Sequence, residues 1–499
     1  MMEVAVPLPE HDLVLLGARV IDPETGLDEV RDVGITAGTI TAVAQPRDRI
    51  RGRREVDCAG QVLAPGFIDL HSHCNEVAAR TLQVCDGVTT ALELEAGQVD
   101  VSAAYNDMAA QGSPNHYGFS ASWALARMSV AGLDVSRQLD AFLEHINAPD
   151  WHRRLTVSEQ AQMIDLLRGS LDEGALGIGV LLGYCQESTG AEYMEVAGLA
   201  ADTGTATYTH VRNFGRPDSG LFGASEVVAA ALSTGAHMHV CHINSTSTRS
   251  IDAVQQLLAG AREQGLRVTS EAYPYGAGST GIGAAFLHPD ALTHDGLTID
   301  DIFYLPTRER MHSADRLREL QATDPAGLVI VNFLREHDPA DLGFLTRAML
   351  APDTAVASDA MPLTHPRSRA GESTTWPIPD DVMTHPRTAG TFSRVLRWYV
   401  RELGILDLAE AVRRCTLVPA EILRDVAPSM RLKGRVQVGC DADLVVFDPD
   451  TVVDRATYEQ PTLTSTGFQF VIVGGVPVVE GGELRTDVRP GKAVRGEVR

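Results

Sequence analysis

Lysine is nearly missing from this chain. Among 42 basic residues in 499, only Lys433 and Lys492 are lysines. Residues 1–432 thus offer no amine for a Schiff base and no N-carboxylated lysine to bind metal, so mechanisms needing either there are excluded. The seven cysteines are odd in number and scattered singly without CxxC spacing. That pattern argues against a disulfide framework and for a reducing compartment. No uncharged apolar run reaches the roughly 18 residues that span a bilayer. The opening MMEVAVPLPEHDLVLL has no basic stretch leading into an apolar one, so a cytoplasmic protein with no membrane association is expected. Positive charge is also short, with 42 basic against 66 acidic residues and a net charge of −24. Such a surface repels phosphate backbones and disfavours nucleic-acid partners. Homo-oligomerisation is left open.

From Gly66 onward, strand-like runs alternate with helical patterns. The strand candidates are 66–73, 88–95, 116–122, 176–182, 205–211, 236–243, 267–274 and 354–360. Thr156 and Glu159 form a capping-box pattern ahead of apolar Met163, Ile164, Leu167 and Leu171, the one-face spacing of a helix. Segments 191–202, 222–234 and 248–263 repeat the cycle, and a further helix is expected at 135–147. Strands joined by helical crossovers make a parallel sheet, and eight of them predict an α/β fold of the (β/α)8 TIM-barrel type. The barrel is expected over 65–429, with an inserted subdomain within 280–350. Residues 1–64 and 430–499 lack helical period and carry β-branched runs broken by Gly, Pro and Asp. Together they predict one small β-sandwich domain built from both ends of the chain.

Several strand ends carry metal-ligand chemistry. His71 and His73 lie two apart in extended chain, so both imidazoles can face one ion. Glu95, His210, His242 and Asp359 close four other strands. In a barrel these ends share the face where active sites form, which makes His71, His73, Glu95, His210, His242 and Asp359 the expected metal set. Glu93 is the second choice for the acidic ligand. His237 and His239 have the opposite pleat parity to His242, so barrel-exterior packing or hydrogen bonding is expected of them rather than ligation. His11, His145, His152, His288, His294 and His312 occupy no comparable position.

At these residues the sequence resembles the amidohydrolase superfamily, and within it the D-aminoacylase (N-acyl-D-amino-acid deacylase) group. The resemblance runs through PGFIDLHSH (65–73), DGVTT (86–90), GALGIG (174–179) and THVRN (209–213). It continues through HVCHINS (239–245), AYPYGAGST (272–280), SDAMP (358–362), HPRTAGTFSRVL (385–396) and ADLVVFDP (442–449). TTALELEAG is similar to the segment of proteins labelled N-acyl-D-glutamate deacylases. The resemblance implies a metal-dependent barrel with a split β-domain, ligands at His71, His73, His210 and His242, and a catalytic Asp359. The group's cysteine ligand falls in register on Ala96, beside Glu95. Zinc is the ion implied, one or two per chain, and a carboxylate in place of thiolate widens the choice to Mn, Co or Fe. Asn244 stands where many relatives carry a substrate-contacting lysine.

The chemistry expected is hydrolysis of an N-acyl amino acid, D-configured by the resemblance, with Asp359 as general base and then acid. Arg212, two residues past His210, is the first choice to grip the substrate carboxylate, and Arg387 the second. Tyr273 and Tyr275 could offer hydroxyls. Gly276, Gly278 and Thr280 are read as shaping a loop. Two rivals remain open: a cyclic-amide hydrolase of the hydantoinase or dihydroorotase kind, and a non-catalytic scaffold on the same barrel.

Overall fold

The computed structural model describes residues 11–185, 187–212, 219–292, 296–365 and 376–498. Asn213 of the THVRN block and His294 lie outside them. Eight parallel strands form the central sheet, one in each region where the pattern places it. They are Phe67–Asp69, Val88–Gln98, His116–Ser122, Ile178–Leu181, Ala206–His210, His237–Val240, Val268–Ala272 and Thr354–Val356. Each pairs with its neighbour in chain order. The ends meet through a parallel bridge between Ser72 and Ala360. There His73 N–H donates to the Ala360 carbonyl at 2.8 Å, and the buried Asp69 carboxylate accepts from Ser358 N–H at 2.9 Å. An acid on the first strand thus ties it to the chain leaving the last.

The crossover helices cover the outside. Val157–Asp172 begins as its sequence predicts: Thr156 Oγ1 accepts from Glu159 N–H, and Glu159 returns a bond to Thr156 N–H at 2.7 Å. The helix expected at 135–147 is the shorter Leu139–Glu144.

Between the seventh and eighth strands the chain builds a four-stranded antiparallel sheet. Ala277–Gly281 pairs with Leu328–Asn332, which pairs with Ile302–Tyr304, itself paired to Glu309–Arg310. The glycine-rich 277–281 stretch is therefore a strand and not the loop its composition suggests. Its partner is about fifty residues away in sequence, out of reach of any local reading.

Strands from both ends of the chain, from His11 to Pro65 and from Leu444 to Leu484, share one nine-stranded sheet. Alternation decides which side each residue serves. Leu444, Val446, Phe470 and Ile472 pack into the sheet's own core with Leu13, Leu15, Val33 and Leu63. Val445, Phe447, Val471 and Val473 face the other way and join the large core around the barrel. A buried polar clasp reinforces the junction. Asp443 accepts from His116 Nε2 of the third barrel strand at 3.0 Å, from Lys433 Nζ at 2.5 Å and from Gly474 N–H at 2.7 Å. Among the described residues, no helix is long and apolar enough to cross a membrane.

Candidate metal centre

Parallel strands put their C-terminal ends on one rim, and local backbone irregularities aim the side chains from there. Between Glu93 and Gln98 the second strand advances five residues while its neighbour advances two, from Phe119 to Ala121. A bulge of this kind re-aims side chains near a site. It lets both Glu93 and Glu95 reach inward. Gly97 makes it possible: its φ is +68°, and an added Cβ would sit 2.6 Å from Ser120 Oγ. His242 and Asp359 hold left-handed backbone, φ +32° and +52°, which costs a non-glycine residue about 1–2 kcal/mol and persists only where surroundings enforce it.

The result is one cage. His71 Nε2 and His73 Nε2 stand 3.2 Å apart. Glu95 Oε2 lies 3.2 Å from the first and 3.6 Å from the second, and Asp359 Oδ1 lies 3.4 and 3.5 Å from them. Donors at the corners of a tetrahedron around an ion, with bonds of about 2.0–2.2 Å, stand roughly 3.3–3.6 Å apart. Three of these five distances fall in that range, and the two at 3.2 Å lie just under it. The other oxygen of Glu95 serves a second half: Oε1 is 3.0 Å from His210 Nδ1 and 2.8 Å from His242 Nε2. One carboxylate is thus shared by two imidazole pairs. His73 Nδ1–H donates to Glu93 at 2.8 Å and His71 Nδ1–H to Glu271 at 2.5 Å, so both Nε2 atoms present lone pairs to the cage. Ser245 Oγ sits 3.0 Å from His242 Nδ1 and likewise holds that ring.

Charge makes the demand for a cation explicit. Glu93, Glu95, Glu271 and Asp359 are all buried. The guanidinium of Arg387 stands 2.9 Å from Asp359 Oδ1. Burial pushes Glu95 up, but His71, His242 and the hydrogen bonds from His210 and His242 outweigh it and hold the carboxyl well below its usual range. Burial alone would lower His71, yet Asp359, Glu95 and Glu271 raise it well above an ordinary histidine. The cage draws positive charge, whether protons or a metal, and its nitrogen and carboxylate donors fit a divalent ion.

Residues 218–479 match the model of the amidohydrolase family. N-acyl-D-glutamate deacylase of Alcaligenes xylosoxydans xylosoxydans is 30% identical, over 97% of this chain and 96% of its own length. The chain belongs to the amidohydrolase family. D-aminoacylase of the same organism is 29% identical, with 94% of each chain covered. The crystal structure of N-acyl-D-glutamate deacylase from Bordetella bronchiseptica, which holds zinc and a phosphonate mimic of the tetrahedral intermediate, superposes with a TM-score of 0.77 at 26% identity. That match covers 98% of this chain and 100% of the other.

In this amidohydrolase the six residues expected from the strand ends meet at the cage, while the expected carboxylate grips sort differently. Arg212 forms a two-point ion pair with Glu226 at 3.1 and 3.3 Å and donates to the Cys185 carbonyl, and it is not among the described residues lining the cavity. That acid, on the next helix, holds the guanidinium away from the cage's own acids. Arg387 is not among the described lining residues either, and stands behind Asp359 instead. It is fully buried, its Nη2 faces Asp359 Oδ1, Nε and Nη1 have no hydrogen-bond acceptor among the described residues, and it stacks 4.7 Å over the Tyr273 ring. Gly278 lies beside it on the cavity wall, where an added Cβ would come 3.7 Å from Arg387 Nη1. Tyr273 lines the cavity. Tyr275 does not, packing instead against His385 and Arg394.

Asn244 clamps this turn, accepting from Tyr273 N–H at 3.2 Å and donating to the Tyr275 carbonyl at 3.3 Å. Of the two expectations for His237 and His239, the structure has hydrogen bonding and not exterior packing: both bond Thr269, and His239 also bonds Glu271, inside the barrel. The pleat count fails because left-handed His242 breaks the alternation it was measured from. Ser279, which lines the cavity with an unpaired hydroxyl, Ser245 and Glu271 were missed. The first was legible as the serine of the AGST block, while Glu271, in mid-strand, gave no signal.

Proposed function

We propose that this chain is a metal-dependent hydrolase that cleaves the amide bond of N-acyl-D-amino acids, releasing the amino acid and a carboxylic acid. The observation that carries the reading is the cage itself: Glu95 shared between His71–His73 and His210–His242, with Asp359 and its ion-pair partner Arg387 beside it. The names of the relatives support the D configuration. Zinc is the first ion to try, with Mn, Co or Fe as alternatives for a site whose anionic ligand is a carboxylate. Bound there, a divalent ion supplies Lewis acidity and a water whose pKa falls from 15.7 toward about 7.

The protein's own groups do the rest. Burial would raise Asp359, but Arg387 and His71 keep it below its ordinary range, so it starts ionised. It accepts the proton of the attacking water and returns it to the leaving nitrogen, which is otherwise a poor leaving group. Arg387 receives the α-carboxylate, with the Tyr273 and Ser279 hydroxyls beside it. The remainder of the substrate meets Leu139, Phe142, Leu143, Phe286, Leu297, Val331 and Phe333. Among the described residues this wall has no arginine or lysine, and Arg387 lies behind it, which favours one carboxylate and an apolar side chain or acyl group over an acidic one. The test is amine release across N-acetyl and longer-acyl D- and L-amino acids with defined metals. Turnover of D-leucine or D-phenylalanine derivatives above the D-glutamate derivative is expected. Release from hydantoins but from no N-acyl amino acid would contradict the reading.

A further inference from the structure

Below the cage, away from the cavity, a line of hydrogen bonds runs down the inside of the barrel. Glu271 lies on the strand Val268–Ala272, with one oxygen 2.5 Å from His71 Nδ1 and the other 3.2 Å from His239 Nε2. An ionised carboxylate only accepts, so both imidazoles donate to it. A neutral imidazole at His239 then has a lone pair left on Nδ1 to accept from the Thr269 hydroxyl, 2.9 Å away. With its proton committed, Thr269 Oγ1 accepts from His237 Nε2 at 2.8 Å. Each proton has one place, and the direction of the whole line is set. Its last consequence is at the top: His71 must carry its proton on Nδ1 and offer a bare Nε2. Glu271 and His239 are both fully enclosed, so water cannot substitute for either partner.

We propose that Glu271 is a positioning residue for the metal centre, anchored through His239, Thr269 and His237, which locks the ring orientation and tautomer of His71. This rests on the metal reading of the cage. A carboxylate behind a ligating histidine raises ligand basicity and fixes the ring, and losing such a partner costs about 10–100-fold in metal affinity. Glu271→Gln keeps the size and one acceptor but removes the charge and the fixed direction.

The test is a zinc titration of the metal-free full-length protein against a competing chelator, read together with the melting temperature with and without zinc. Wild type should bind zinc, and Glu271→Gln should bind it about 10–100-fold more weakly and show a smaller zinc-induced rise in melting temperature. Its zinc-free melting temperature should stay near wild type. Thr269→Val, which cuts the line further from the ion, should weaken binding less, and Thr269→Ser should match wild type. A merely structural role would lower the zinc-free melting temperature and leave zinc affinity unchanged; that result overturns the proposal. Should Glu271→Gln not fold, the Thr269 pair decides, and Thr269→Val binding zinc like wild type overturns it. Wild type that binds no zinc, manganese, cobalt or iron would instead overturn the metal reading beneath it.

Discussion

Asp359 and Arg387 form a buried pair in which each explains the other. The arginine keeps the carboxyl ionised, and the carboxyl leaves most of the guanidinium's donors for an incoming anion. Asp359→Asn should lower kcat by about 10²–10⁴ while metal content, measured by elemental analysis, stays near wild type. Arg387→Lys retains charge but loses the planar fork, so kcat/KM for N-acyl amino acids should fall by about 2 kcal/mol or more, roughly thirtyfold. N-acyl amines lacking the carboxylate should be equally poor substrates for both proteins. At this scale the ligand histidines were legible, since parallel strands all end on one rim. The surroundings of the two arginines were not: proximity to His210 favoured Arg212, but an arginine's contacts depend on which acid it meets, and Glu226 is fourteen residues on.

Among the elements, the strand Val88–Gln98 contributes most to the site. Its bulge brings two glutamates inward on one strand, and the sequence LELEAG shows it only through a glycine placed where a strand would not want one. Gly97→Ala would put a methyl 2.9 Å from the Ala121 backbone at positive φ. Overpacking of this kind costs about 1–3 kcal/mol. The expected result is a lower urea midpoint together with weaker metal uptake, because Glu95 is the third residue before Gln98 and moves with the bulge. Wild-type metal uptake in that variant would separate the bulge from the cage. Helix starts were readable from local chemistry, as at Thr156. The inserted sheet over the cavity was readable only as an interruption, since Ala277–Gly281 becomes a strand through a partner far along the chain.

For the whole molecule, the junction between barrel and terminal sheet has its own pH dependence. Burial would raise Asp443, but His116 and Lys433 hold it far below the usual carboxylate range. An acid with a depressed folded pKa adds stability that is fully present above its unfolded value, about 3.9, and is lost as pH falls toward the folded value. Urea midpoints should therefore decline below about pH 4, and Asp443→Asn should be less stable at pH 7 with a shallower acid decline. An unchanged acid profile would remove the clasp from the account. The two-ended sheet was visible in the sequence because neither end could bury a core alone, whereas the clasp joins residues more than three hundred apart.

The central claim is that Glu95 unites two imidazole pairs into one cation-binding centre. The direct test is equilibrium dialysis of metal-free wild type and Glu95→Ala against zinc. The account predicts zinc uptake by wild type, loss of high-affinity binding in the variant, and amine release that rises and falls with bound metal. Equal zinc binding by the two proteins would contradict it.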